Sequence, residues 1–177
     1  MSAPTINIEE NKKLFLDLVG SIERDGIKEL VAFLEKSDFF TAPASTRFHC
    51  SLPGGLALHS LNVYHMFEHK CKSEPFKSIL GDMPEDSRKI ITLLHDVCKT
   101  YMYEIDYRNK KIYSDTGSKK DEKGRFDWAA VEYYTVNDRV PYGHGEKSVM
   151  MIEEYIKLQP FERYAIRWHM GFSEPKE

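Results

Sequence analysis

Leu93-Leu94-His95-Asp96-Val97-Cys98-Lys99 is the stretch that decides how this chain reads. It closes an apolar-periodic segment: Ile90, Ile91, Leu93 and Leu94 mark a helix that opens near Asp82 and Pro84, where proline is tolerated in the first turn. His95 and Asp96 therefore arrive side by side near a helix end. Adjacent residues on a helix point about 100° apart. Unwinding at the terminus lets an imidazole nitrogen and a carboxylate oxygen converge on one metal ion, with the carboxylate free to bridge to a second. The plainer alternative is a helix that ends in a capped histidine and an acceptor aspartate. Three further histidines, His59, His144 and His169, widen the pattern, because each lies in a segment with its own structural signal.

Working outward toward the N-terminus, Pro53-Gly54-Gly55 closes a loop that begins at Phe39, and a helix over about 56–70 starts directly after it. That helix is expected to bury Leu58, Leu61 and Met66 or their neighbours and carries His59 near its beginning. Two earlier helices follow from apolar spacing, one over about 9–22 through Leu14, Phe15, Leu18, Val19 and Ile22, the other over about 26–36 through Ile27, Leu30, Val31 and Leu34. On the C-terminal side the period changes. Tyr101, Tyr103, Ile105 and Tyr107 alternate, as do Val131, Tyr133 and Thr135. Between them, residues 108–127 are rich in Lys, Asp, Gly and Ser. The expectation is a two-stranded β-arm over about 100–137 with a long mobile tip, inserted into a mainly α, helical-bundle domain that spans 1–177. The lysines of that tip (Lys119, Lys120, Lys123) and Arg125 alternate with acids, which reads as a solvated loop. Helix resumes after Gly145 through Val149, Ile152 and Ile156, and again over 161–169 after Pro160.

Composition narrows the function classes. The chain has 177 residues, 41% of them apolar, enough for one domain with a proper core. Its 25 basic and 28 acidic residues give a net charge of -3, which disfavours extended nucleic acid as a partner but not a small phosphorylated molecule held by a few local cations. No apolar stretch approaches the ~20 residues of a membrane span, and the N-terminus lacks the basic and apolar regions of a signal peptide. Cys50, Cys71 and Cys98 form no CxxC pair, so the chain reads as reduced and cytoplasmic. Seven histidines against three cysteines favour nitrogen and oxygen ligation over a thiolate site. His65 and His69, four apart on one helical face, are expected to be surface residues. Tyr101, Tyr103, Tyr107, Tyr133 and Tyr134 fit strand propensity as well as base stacking.

Five stretches together resemble the HD-domain metal-dependent phosphohydrolase superfamily: residues 39–47 (FFTAPASTR), 54–64 (GGLALHSLNVY), 94–99 (LHDVCK), 141–148 (PYGHGEKS) and 167–171 (RWHMG). The likeness is to small stand-alone HD proteins of bacteria and their phages, and to the HD domain of certain 3′→5′ exoribonucleases. It covers most of the chain, about 39–171, and the GG-x3-HSL and HDxxK segments in that order are its specific part. The resemblance implies a helical HD fold holding one or two divalent ions (Mn, Fe, Zn, Ni or Mg), elements that suit imidazole and carboxylate donors. It makes His59 the first ligand, His95 and Asp96 the signature pair with Asp96 the bridge, and His144 and His169 further ligands. The plainer readings of the last two are a turn histidine and a helix-terminal histidine favoured by the dipole. Lys99 would orient a phosphate or the attacking water, and Arg47, His49 and Lys147 would bind phosphoryl oxygens. Backbone N–H groups at Gly145 offer another anion site beside His144.

What the resemblance implies is hydrolysis of a phosphomonoester or phosphodiester bond in a nucleotide or related small molecule. A divalent ion lowers the pKa of bound water from about 15.7 toward 7 and screens phosphoryl charge. One departure stands out. The family pattern ends in an aspartate beyond the last histidine, and the eight residues after His169 include none. A chain that stops short, substitution by Glu174 or by a neighbouring subunit in a homo-oligomer, and a weakened site each account for it. Two rival readings follow: a non-catalytic module that senses a nucleotide or engages a partner, and an RNA-end exonuclease.

Overall fold

The computed structural model describes residues 6–171. Seven α-helices carry most of the regular structure, in the order α1 (Ile8–Gly20), α2 (Ile27–Lys36), α3 (Gly55–Cys71), α4 (Lys77–Leu80), α5 (Glu85–Leu93), α6 (His144–Glu153) and α7 (Pro160–Arg167). Three strands, β1 (Tyr103–Tyr113), β2 (Lys119–Asp121) and β3 (Gly124–Val136), fall between α5 and α6. Among the described residues no helix is long and apolar enough to cross a membrane.

The helices form where the apolar spacing demands and stop where local chemistry stops them. Asn7 caps α1 by accepting the Glu10 backbone N–H at 3.2 Å, and the helix buries Phe15 and Val19. Pro160 occupies the first turn of α7, and Glu162 reaches back to the Gln159 N–H at 2.7 Å. Phe15, Phe39 and Phe40 meet with centroids 4.9–5.5 Å apart, Phe40 edge to face against the other two. Around them Leu30, Leu34, Leu56, Leu93, Ile152 and Ile166 complete one continuous core. A buried polar post joins α5 and α7 to the α1–α2 turn: Glu162 is fully buried, takes both Arg24 nitrogens (2.8 and 3.3 Å) and accepts from Ser87 Oγ at 2.6 Å.

Three expectations are corrected. The arm is a three-stranded antiparallel sheet of order β1-β3-β2, and not a two-stranded one. Its tip is not a loose segment either, because β1 pairs with β3 without a break from Tyr103↔Val136 to Tyr113↔Phe126. The ribbon is exposed on both faces over most of its length, so no buried alternation announces it. Its own cross-strand contacts stabilise it instead: Lys111 Nζ to Asp121 at 2.6 Å, Tyr107 Oη to Glu132 at 3.1 Å, and buried Phe126 under Tyr113 and Trp128. In α3, Leu61 is buried as expected, but Leu58 is only half-buried and Met66 is 59% exposed. The buried face of α3 runs through Leu56, Ala57, Ser60 and Leu61, at the end that carries the histidine.

Candidate metal centre

The centre sits where five chain segments end or begin. Helix α5 stops at Leu93, and the Thr92 carbonyl, left without a helical partner, is taken by His95 Nδ1 at 2.7 Å. The chain then turns through Asp96 into a single 3-10 turn, Val97–Lys99. His169 repeats the device past the end of α7, with Nδ1 on the Ile166 carbonyl at 2.7 Å. His59 projects from the first turns of α3, and His144 opens α6. Gly145 brings α6 against the last turn of α7: a Cβ there would lie 2.3 Å from the Arg167 carbonyl oxygen. That close approach leaves the His144 and His169 rings 5.0 Å apart.

A carbonyl only accepts, so Nδ1 of His95 and of His169 must carry the proton. In the neutral ring each Nε2 then presents a lone pair to the interior. His169 Nε2 is buried with no hydrogen-bond partner. His95 Nε2 faces His59 Nε2 at 3.2 Å, and Asp96 Oδ2 lies 3.4 Å from His59 and 3.3 Å from His95. Ligand atoms of a tetrahedral ion with bonds of about 2.1 Å are about 3.4 Å apart. The triangle therefore has the edge length of one face of such a site. The other carboxylate oxygen serves a second group: Asp96 Oδ1 is 2.7 Å from His144 Nε2 and 3.5 Å from His169 Nε2. His59, His95 and Asp96, and likewise Asp96, His144 and His169, have all their ligand atoms within 4.8 Å of one another, close enough to hold a metal ion. Orienting carbonyls behind the imidazoles are the usual second layer of such sites.

Electrostatics agree with the geometry. Burial alone would raise the Asp96 carboxyl, yet its side-chain contacts with His144, His169, His59 and His95 outweigh it and hold the group well below the ordinary carboxylate range. Burial pulls His169 down, and the Asp96 and Ile166 contacts more than reverse it, so its pKa is raised. Lys99 Nζ donates to Asp96 Oδ2 at 2.8 Å and is largely buried, so the anion is balanced by one adjacent cation.

A cavity of ≈ 640 Å³ opens over these groups, lined by His59, His95, Asp96, His144, His169, Lys99 and His49, with apolar walls that include Val63, Ile91 and Phe48. His49 lies beside His59, ring centroids 4.6 Å apart. Burial, with help from His59 and Lys99, lowers its pKa. Two expected phosphate-binding residues are elsewhere. Arg47 lines a neighbouring groove and stacks on Phe48, and Lys147 Nζ is held by Asp138 at 2.5 Å and does not line the cavity. The side-chain face of Gly145 packs directly on the Arg167 carbonyl at the end of α7. His65 and His69 are exposed. Glu174 lies outside the described residues.

Sequence reasoning missed the Thr92 and Ile166 carbonyls, the contact of Cys98 Sγ with His144 Nδ1 at 3.1 Å, and the apolar walls. The carbonyls had a readable signal, a histidine two residues past the last helical residue in both places. No family model, no curated protein and no solved structure matches the chain, so the site is read from its own residues.

Proposed function

We propose that this protein is a metal-dependent phosphohydrolase of the HD type, acting on a nucleotide or a related small phosphorylated molecule. The observation that carries the reading is the shared carboxylate: Asp96 turns one oxygen to His59 and His95 and the other to His144 and His169. A divalent ion bound there supplies Lewis-acid polarisation of a phosphoryl oxygen and a water acidified enough to attack at neutral pH. His59, His95 and Asp96 would hold one ion, and Asp96, His144 and His169 a second.

The remaining residues bind and orient. Lys99 can swing its ammonium from Asp96 to a phosphoryl oxygen once cations neutralise the carboxylate, which stabilises the charge of the transition state. His49, at the rim beside His59, can hydrogen-bond the leaving oxygen. Val63, Ile91 and Phe48 exclude water and receive the apolar part of the substrate. The cavity volume lies in the ordinary small-molecule range of about 300–1,000 Å³.

Metal analysis and turnover test this together. Purified protein should carry stoichiometric Mn, Fe, Zn or Ni that is lost in His95→Ala, and should release phosphate from members of a nucleotide panel. The Lys99–Asp96 pair, which satisfies the carboxylate without any metal, favours a second reading, a non-catalytic nucleotide-binding module. Tight nucleotide binding without turnover under every metal tried would select it. A labelled oligonucleotide shortened from its 3′ end would select a nuclease.

A further inference from the structure

We infer that the groove next to the metal cavity is a second anion site, built to take a phosphoryl group of the substrate other than the one that reacts. The inference rests on the phosphohydrolase reading and narrows its substrate class to small molecules with two or more phosphoryl groups. The groove measures ≈ 570 Å³ and is lined by Thr46, Arg47, Ser51, Arg108, Glu132 and Tyr133 among others. Thr46 also lines the metal cavity, so the two spaces adjoin.

Its arginines differ from most of those in the chain. Of eight arginines, five are ion-paired: Arg24, Arg88, Arg139, Arg163 and Arg167 each meet a glutamate. Among the described residues the other three have no carboxylate partner: Arg125 donates to the Gly117 carbonyl at 3.2 Å within the arm, while Arg47 and Arg108 both line this one groove. Each of these two guanidinium groups lies instead over an aromatic ring, Arg47 over Phe48 at 4.9 Å and Arg108 over Tyr133 at 5.0 Å. Stacking fixes the plane of the ion while leaving its N–H edges free, the arrangement suited to bidentate capture of a phosphate.

The two residues come from independent elements, the loop before α3 and strand β1. The loop is pinned: Ser45 Oγ donates to the His49 carbonyl at 2.8 Å and accepts the Phe48 N–H at 2.9 Å, and Ala44 N–H donates to the Cys50 carbonyl at 3.1 Å. Phe48 faces the metal cavity while Arg47, on its ring, faces the groove, so their stack divides reacting from non-reacting phosphate. Glu132 is the one carboxylate among the groove's lining residues. It accepts from Tyr107 Oη at 3.1 Å and leaves the groove net positive by one.

Titration of inorganic pyrophosphate into the metal-stripped full-length protein at low salt tests the site without turnover. Binding is expected, weakened at least tenfold by Arg108→Gln and by Arg47→Gln, tightened by Glu132→Gln, and unchanged by His95→Ala. Unaltered melting temperatures of the arginine variants check that they fold. Absence of binding, indifference to both arginine substitutions, or loss in His95→Ala overturns the inference. Failure of the phosphohydrolase reading looks different: no phosphate release under any metal, with this titration unaffected.

Discussion

Gly145→Ala is the sharpest perturbation of the centre that touches none of its ligands. The added methyl would stand 2.3 Å from the Arg167 carbonyl oxygen and 2.7 Å from its Cα, both backbone atoms that no rotamer change can move aside. Relief to ordinary contact, about 3.5 Å, requires α6 and the end of α7 to part by about 1 Å. His144 and His169 sit at the two ends of that contact, and ligand distances in working metal sites tolerate only about 0.2 Å. The half built from Asp96, His144 and His169 should therefore open, while His59, His95 and Asp96, carried by α3 and the turn after α5, keep their geometry. Overpacking of this kind costs about 1–3 kcal/mol, or roughly 2–12 °C in melting temperature for a chain of this size. Gly20→Ala is the control, since nothing lies within 4 Å of its added methyl at the end of α1. Differential scanning calorimetry and metal content should show a lowered melting temperature and, on the two-ion reading proposed above, a fall from two ions per chain to one. A variant that melts with the control and keeps its full metal complement would refute the idea that this close approach positions the two histidines.

Two other outcomes follow from buried charge. Arg24→Ala leaves the Glu162 carboxylate fully buried without its cation and should cost about 3–5 kcal/mol in urea unfolding; a change below about 1 kcal/mol would mean that Ser87 and the Gln159 N–H already satisfy it. In metal-free protein, the depressed Asp96 carboxyl stabilises the fold above its unfolded value of about 3.9, and that contribution is lost as pH falls through the folded value. The stability gap between wild type and Asp96→Asn, followed by circular dichroism, should accordingly narrow below about pH 4, and a gap that stays constant down to pH 3 would contradict the assignment.

Much of the helical domain was legible because a helix packed on a core must repeat its apolar residues. Ile90, Leu93 and Leu94 are fully buried as their spacing required, and the pair at 95–96 does fall just past that helix. Convergence of His59, His144 and His169 on Asp96 was readable only as a set. The carbonyl three residues earlier orients His95 and His169, but the packing of Gly145 on the end of α7, which brings His144 to His169, has no local signal. The arm hid its strands because Arg108, Asn109 and Lys110 lie on an exposed ribbon, where polar residues are tolerated on both faces. Arg47 and His49 part company because residues two apart in an irregular loop share no face. Lys147 is claimed by Asp138, nine positions earlier, across a loop with no period to read.

The arm leaves and re-enters the helical domain at a single point. Tyr103 lies opposite Val136, and the Asn137 N–H donates to the Met102 carbonyl at 2.9 Å, so the two crossings are one strand spacing apart, about 5 Å. Whatever is spliced beyond that junction changes neither the span that the flanking segments must bridge nor the tension on Asp96 and His144. Only the first turns of the ribbon, out to Arg108 on one side and back from Glu132 on the other, border either cavity. Natural variation in length is expected to gather at the far end, where evolution can graft new recognition surfaces while the His–Asp cluster below keeps its geometry.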